Sequence, residues 1–203
     1  MTTTITRLYN SYAEARDAVR ALEGAGVSHS NISVLANNSE GWYDEKKGTF
    51  PDADFDGRDD RAEAAGAGAG IGAVAGGAVG ALTGLGLLAI PGVGPIVAAG
   101  WLVATLTGAA AGAATGGVVG ALTQSGVSND EAEIYAEGLR RGGAVVSAKV
   151  EDRDATRLQA ILDRSSVRIA DRAAAYRKTG WKSFDPSAPP FTAEQARQER
   201  ELY

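Results

Sequence analysis

The sequence predicts an α+β fold: a ferredoxin-like βαββαβ sandwich with a long glycine-zipper helical hairpin inserted between its second and third strands. Two observations predict it. Positions 1–37 and 128–170 each show strand and helix patterns of ordinary composition. Between them, positions 64–129 hold no Asp, Glu, Lys or Arg, although such residues make up 22% of the 203-residue chain. The flanks are therefore expected to form one split domain around the insertion.

The N-terminal flank has the pattern of a strand, a helix and a second strand. Positions 4–9 alternate between apolar and polar side chains, as a half-buried strand does. Ser11, with Glu14 three residues later, has the capping-box pattern that begins a helix. The glycine-rich positions 24–26 end that helix, and 31–36 predict the second strand.

The C-terminal flank supplies the other half of the domain. Ser128, with Glu131 at the matching position, predicts the start of a helix. A third strand is expected at 144–150, a helix from 152–154 onward, and a short fourth strand at 167–169. These elements complete the expected sandwich.

Composition divides the remaining chain into three parts. An acidic connector occupies 38–61 and leads into a Gly/Ala block at 62–127. A tail at 171–203 follows the split domain, and its charged stretch at 194–201 predicts a short surface helix.

The Gly/Ala block carries small residues at intervals of four. On a helix this spacing puts them in one row on one face. Because glycine costs roughly 1 kcal/mol relative to alanine inside a helix, such rows need a compensating reason. Close approach of two helix backbones, as in small-xxx-small packing, supplies one. The glycines assigned to this packing are Gly68, Gly72, Gly76, Gly80, Gly84, Gly100, Gly108, Gly112, Gly116 and Gly120.

A turn is predicted between the two glycine rows, at 90–95. Proline and glycine at these positions break a helix and favour a tight turn. A chain that folds back there brings the two rows face to face in a helical hairpin, with Gly84 opposite Gly100. The residues assigned to the turn are Pro91, Gly92, Gly94 and Pro95.

Two environments suit such a hairpin. Each arm of roughly 28 residues would be about 42 Å long, enough to cross a hydrocarbon core of about 30 Å. Its tip is its most apolar part, with Leu88, Ile96 and Leu102 among the residues there. Alternatively, hairpins from several copies bury their tips in a soluble ring, shell or filament, because a single chain would expose a large apolar patch. The expected partner is a second copy of the chain, with membrane lipid as the other candidate.

The acidic connector contains a calcium-loop pattern. Oxygen ligands at these spacings suit a hard cation. Asp59 at a normally apolar position and Pro51 before the loop count against this interpretation. The alternative is a solvated connector whose Glu63 complements a helix N-terminus. The candidate calcium ligands are Asp52, Asp54, Asp56, Arg58 through its carbonyl, Asp60 and Glu63.

Composition argues against several classes of function. The chain has no cysteine and one histidine, His29, so the common nucleophile–base pairs lack their usual members. A net charge of −5 does not favour nucleic acid as a partner. No cofactor other than calcium is expected. The N-terminus lacks a secretory pattern, so we expect the cytoplasm, or the inner membrane with both termini on the cytoplasmic side.

Three features of the chain resemble those of a known family. These are the stretch YAEGLRRGGAVV at 135–146, the βαβ start and the Gly/Ala block. In these features the chain resembles bacterial general stress proteins of the heat-induced YflT type. The tail sequence GWKSFDP at 180–186, followed by Phe191 to Glu194 and Arg197, is similar to the ends of glycine-zipper-bearing relatives. The resemblance spans most of the chain, and its motifs are structural. It implies a stress-linked protein without known chemistry and assigns no active-site residue.

These patterns predict a non-enzymatic, stress-related structural protein that self-associates through its glycine-zipper hairpins. In the leading interpretation the hairpins are inserted in a membrane or associated with it. The first alternative is the soluble homo-oligomeric assembly with the hairpins in its core. The second alternative is a binding module that responds to calcium.

Overall fold

A computed structural model describes residues 1–43, 86–110 and 117–202, with the backbone only at 107–110. The described residues form an α+β structure in which helices cover both faces of an antiparallel sheet. The strands are β1 (Thr2–Tyr9), β2 (Ile32–Asn37), β3 (Gly86–Ile90), β4 (Gly94–Gly100) and β5 (Ala144–Glu151). The helices are α1 (Tyr12–Gly24), α2 (Trp101–Ala110), α3 (Val118–Gln124), α4 (Asn129–Arg140), α5 (Asp152–Leu162), α6 (Ile169–Lys178) and α7 (Ala193–Glu201).

The sheet has the strand order β1-β5-β2-β4-β3, and every neighbouring pair is antiparallel. Val145 on β5 lies opposite both Leu8 on β1 and Leu35 on β2. Every residue of β2 is buried, because helices pack on both faces of the sheet at this position. Its residues on the α1–α5 face are apolar, whereas Ser33 and Asn37 on the other face are buried with hydrogen bonds to Leu102 and Leu139.

Alternation along the strands separates two cores. Val34 and Val146 face the layer formed by α1 and α5. The next side chains, Leu35 and Val145, face the opposite layer of α2, α3 and α4. Successive residues of a strand point to opposite faces, so each central strand contributes to both cores.

The strands predicted at 4–9, 31–36 and 144–150 are confirmed as β1, β2 and β5. Both predicted N-caps are confirmed as well. The Ser11 hydroxyl accepts a hydrogen bond from the Glu14 amide at 3.3 Å, and the Ser128 hydroxyl accepts one from the Glu131 amide at 3.4 Å. These bonds satisfy amide groups that the first turn of a helix leaves without a partner.

The predicted fourth strand at 167–169 is wrong. Val167 makes a single bridge to Leu8, with its amide donating to the Leu8 carbonyl at 2.8 Å, and α6 begins at Ile169. The helix forms because Ile169, Ala173 and Tyr176 share one apolar face. That face packs against Ile134 of α4, so burial favours a helix at this position.

The predicted helical arms are wrong where the described part of the Gly/Ala block meets the turn. The segments on both sides of the turn form β3 and β4, and β4 pairs with β2 from Ser33↔Gly100 to Asn37↔Ile96. This pairing satisfies the backbone of β2 on the side away from β5, and β-branched Ile96 and Val97 fit a pleated sheet. A turn lies within the predicted range, at Pro91 to Val93, but Gly94 and Pro95, which were assigned to it, begin β4.

The second glycine row does not lie on one helix. Gly100 has φ +88° at the end of β4, and Gly117 has φ +85° immediately before α3. Gly108 therefore belongs to α2 and Gly120 to α3. Gly100 lies close to β2, because a Cβ atom on Gly100 would meet Ile32 and Ser33. Its expected partner, Gly84, lies outside the described residues.

Candidate self-association site at the sheet edge

The predicted turn residues lie where the edge strand β3 passes into its neighbour β4. The Val93 amide donates to the Ile90 carbonyl at 3.1 Å and closes the turn. Gly92 and Gly94 adopt φ values of +74° and +97°, which favour glycine. Val93 between them is fully buried, so the turn is packed against protein.

The C-terminal tail lies across this turn. A Cβ atom on Gly92 would lie 2.7 Å from Pro186 Cα and 2.8 Å from the Asp185 carbonyl oxygen. A Cβ atom on Gly94 would lie 2.7 Å from Pro190 Cβ. Glycine at both positions therefore permits the tail to approach the turn, and the tail fixes this end of β3 and β4.

Helix α7 attaches the tail to the rest of the domain. Arg197 and Arg200 both form ion pairs with Glu40, which follows β2. Glu199 pairs with Arg141 at 2.9 Å, and Ala196 lies so close to Gly142 that a Cβ there would be 2.9 Å from Ala196 Cβ. The helix therefore bridges the end of α4 and the segment after β2.

A buried cluster of charges supports this attachment. Glu137 has no exposed surface, and its carboxylate accepts hydrogen bonds from Arg140 and Arg141, each with a shortest distance of 2.6 Å. The Arg141 guanidinium also lies 4.3 Å from the centre of the Tyr176 ring. The i, i+3 and i, i+4 spacing of Glu137 to the two arginines was visible in the sequence, but its burial was not.

Electrostatics in this cluster favour the charged form of arginine. Burial lowers the pKa of Arg141, but the hydrogen bonds and charges of Glu137 and Glu199 outweigh it and leave the pKa above its ordinary value. Burial raises the pKa of Tyr176, and the nearby arginines oppose that shift. Both groups keep their protons at neutral pH, so Arg141 is charged where it pairs with Glu137 and Glu199.

Strand β3 forms the edge of the described sheet and has an uncharged sequence, GLLAI. Leu88 and Ile90 point toward the α2–α4 layer. Leu87 and Ala89 point to the other face, where both are exposed, Leu87 by 44%. Edge strands of natural proteins commonly carry charges, prolines or covering segments that prevent pairing with another chain. β3 itself has no charge and no proline.

The opposite edge, β1, carries a charged residue and is partly covered by another segment. Arg7 projects from it and pairs with Asp163 at 2.5 Å. Val167 covers part of it by bonding to the Leu8 carbonyl. Among the residues that the structure describes, the two edges are thus protected unequally, and the Gly/Ala block supplies the less protected one.

An open cleft of about 390 Å³ lies near the buried charges. Its charged side chains already have partners within the protein: Arg172 donates to Asn10, and Arg168 pairs with Asp171 at 2.8 Å. Within the described ranges, no three His, Cys, Asp or Glu side chains are grouped so that they could hold a metal ion.

Many of the predicted site residues fall outside the described ranges. These are the calcium-loop residues at 52–63, the first glycine row at 68–84, and Gly112 and Gly116. The calcium loop and the packing of the first row stay predictions. Among the described helices, none combines the length and the apolar character needed to cross a bilayer.

No protein-family model, curated protein or solved structure matches this chain. The likeness to general stress proteins therefore stays a prediction from the motifs at 135–146 and 180–186. The structure does explain part of the first motif: Gly138 contacts Leu8, and Glu137 and Arg141 hold α7.

Proposed function

We propose that this chain is a non-enzymatic structural protein that functions by self-association. One observation carries the proposal: the Gly/Ala block ends the described sheet with an uncharged strand, β3, which exposes Leu87 and Ala89. An uncharged apolar edge is a template for pairing with another chain. A role in stress follows from the family resemblance and is part of the same proposal.

Burial favours protein over lipid as the environment of the hairpin. Ile96 and Leu102, which the sequence assigned to a lipid-inserted tip, have no exposed surface, and Val97 is 1% exposed. They pack against the strands and helices of their own domain. We therefore favour the assembly in which copies of the protein contact one another, with membrane insertion as the alternative.

A second part of the proposal concerns the class of the fold. The order β1-β5-β2, with the Val167 bridge beside β1, supports a ferredoxin-like arrangement in which a single bridge stands in place of the fourth strand. Helices α1 and α5 share one face of the sheet, which also supports it. The strands β3 and β4 then extend that arrangement at one edge.

The molar mass of the full chain, purified without detergent, tests self-association. Light scattering or sedimentation across a concentration series is expected to give a multiple of the 20.8 kDa chain mass. A monomer at every concentration would contradict the proposal. A stable fold in that monomer, seen as a cooperative thermal transition, would show that the edge needs no partner.

Flotation with vesicles of phosphatidylethanolamine and phosphatidylglycerol tests the environment. We expect the assembled protein to stay in the vesicle-free fraction, because the apolar residues of β4 are already buried. Flotation that resists carbonate extraction would instead support the membrane alternative.

A further inference from the structure

Hydrogen bonding on β4 determines which polar groups of β3 face outward. The Pro95 carbonyl accepts a bond from the Asn38 amide at 2.8 Å, so Pro95 directs its backbone toward β2. Ala89 lies opposite Pro95 on β3. Because opposite residues of an antiparallel pair alternate between bonded and non-bonded, Ala89 directs its N–H and C=O away from β4. Leu87, two residues away, does the same.

The outward-facing groups are symmetric about Leu88. In an antiparallel pair of two identical strands centred there, Leu87 of one copy lies opposite Ala89 of the other, and the reverse. Each of these two pairs exchanges both N–H···O bonds, whereas Leu88 faces its own equivalent in a non-bonded pair. The strand is thus complementary to itself, as a two-fold interface requires.

The side chains of β3 also favour a second copy of the chain as the partner. β3 is uncharged, so two copies bring no like charges together although the chain carries a net charge of −5. The exposed side chains of Leu87 and Ala89 lie on one face and become cross-strand neighbours. A charged partner strand would place its charges beside these apolar side chains without a counter-charge.

We infer that β3 pairs with β3 of a second copy about a two-fold axis at Leu88 and joins the two sheets into one. This inference rests on the proposed self-association and names its contact. It assigns the interface to the backbone of Leu87 and Ala89, and the side chain of Leu87 adds apolar contact across the axis.

Replacing Ala89 by proline tests the inference. Proline removes an outward-facing N–H and leaves the β3–β4 bonds in place, as prolines at sheet edges do. A89P is expected to raise the dissociation constant of the assembly by about tenfold or more. Leu87→Lys, which sets like charges near each other across the axis, is expected to do the same by a different route.

Leu202→Lys is the matched control, because Leu202 is 69% exposed and lies outside the sheet. It should leave the mass unchanged. If the wild type assembles and both A89P and L87K assemble equally well, the edge pairing is overturned but self-association is not. A monomeric wild type would overturn both. Thermal unfolding identifies a variant that has lost its fold. In that case the mass of the other variant decides whether the edge pairing holds.

Cross-linking tests the register, since the natural chain has no cysteine. Leu88→Cys places two thiols opposite each other in a non-bonded pair, with Cα atoms about 4.5 Å apart, and should give a covalent dimer on addition of diamide. Leu202→Cys should not. Equal cross-linking of the two variants would overturn the two-fold register.

Discussion

At the scale of single residues, glycine serves two different purposes in this chain. Gly100 has φ +88° and so little space that a Cβ atom would lie 2.8 Å from Ser33 Cα and would also meet the Ile32 carbonyl oxygen. Gly126 has φ +97° with no atom within 4 Å of such a Cβ. The first position needs glycine for conformation and for close approach, whereas the second needs it for conformation.

We predict that Gly100→Ala lowers the free energy of unfolding by roughly 3 kcal/mol or more. Left-handed backbone strain contributes about 1–2 kcal/mol, and displacement of β2 adds to it. Gly126→Ala is the control and should cost about 1–2 kcal/mol from strain alone. Urea denaturation measures both, and equal losses would contradict the close approach of Gly100 to β2.

Buried tyrosines make stability depend on alkaline pH. Burial raises the pKa of Tyr135 from 10.0 to about 12, and burial also raises the pKa values of Tyr9 and Tyr176. The folded state therefore holds these phenol protons more tightly than the unfolded state does. The stabilisation is fully present below pH 10, and the part due to Tyr135 is lost as pH rises through 12.

We predict a constant tyrosine contribution up to about pH 10 and a falling free energy of unfolding above it. Each tyrosine that loses its proton only on unfolding adds about 1.4 kcal/mol per pH unit to the slope. Tyr135→Phe should reduce the slope by about 1.4 kcal/mol per pH unit, the contribution of one tyrosine. Denaturation at a series of pH values measures it. Deprotonation of all six tyrosines near pH 10 with the fold intact would contradict the burial.

At the scale of elements, α7 is held by charges that are themselves buried. Glu137 has no exposed surface, and Arg141 joins it to Glu199 on α7. Removing one member of a buried pair leaves the other charge without compensation, which is strongly destabilising. By contrast, the pair of Arg168 and Asp171 is exposed on both sides, and such pairs contribute little.

We predict that Glu137→Ala lowers the free energy of unfolding by about 3–5 kcal/mol and makes α7 sensitive to trypsin. Asp171→Ala, the matched exposed pair, should change it by no more than about 0.5 kcal/mol. Denaturation and limited proteolysis check the two effects. A tail that stays resistant in the first variant would show that Glu137 does not anchor α7.

Local patterns predicted the elements whose signals are local. Alternation indicated β1, β2 and β5, and the serine caps indicated α1 and α4. The interval of four in the Gly/Ala block predicted helices. Position 100 requires glycine for another reason, because β2, a strand more than 60 residues earlier in the chain, lies against it. Spacing along the chain cannot show which strand will lie beside a glycine, because tertiary pairing overrides helix propensity.

The candidate site could be predicted only in part, because it also depends on contacts between distant parts of the chain. Pro91 and Gly92 lie in the turn that the sequence predicted, whereas Gly94 and Pro95 belong to β4. The exposure of Leu87 depends on the order of the strands, and the crowding of Gly92 depends on a tail that lies over 90 residues further on. Neither the strand order nor the contact with the tail leaves a periodic signal in the sequence.

At the scale of the whole molecule, the two edges of the described sheet are unequal. β1 is protected by Arg7 and by the bridge from Val167, whereas β3 exposes an apolar, uncharged strand. Pairing of β3 with its equivalent would remove that difference and double the sheet. In this proposal, one strand of each copy would provide the contact for self-association.

Amide hydrogen exchange, followed residue by residue at several protein concentrations, tests this account most directly. The amides of Leu87 and Ala89 should exchange quickly in dilute protein and slow down as the assembly forms. The amides of Leu88 and Ile90, which face β4, should be protected at every concentration. Exchange at Leu87 and Ala89 that stays fast while the measured mass shows an assembly would contradict pairing through β3.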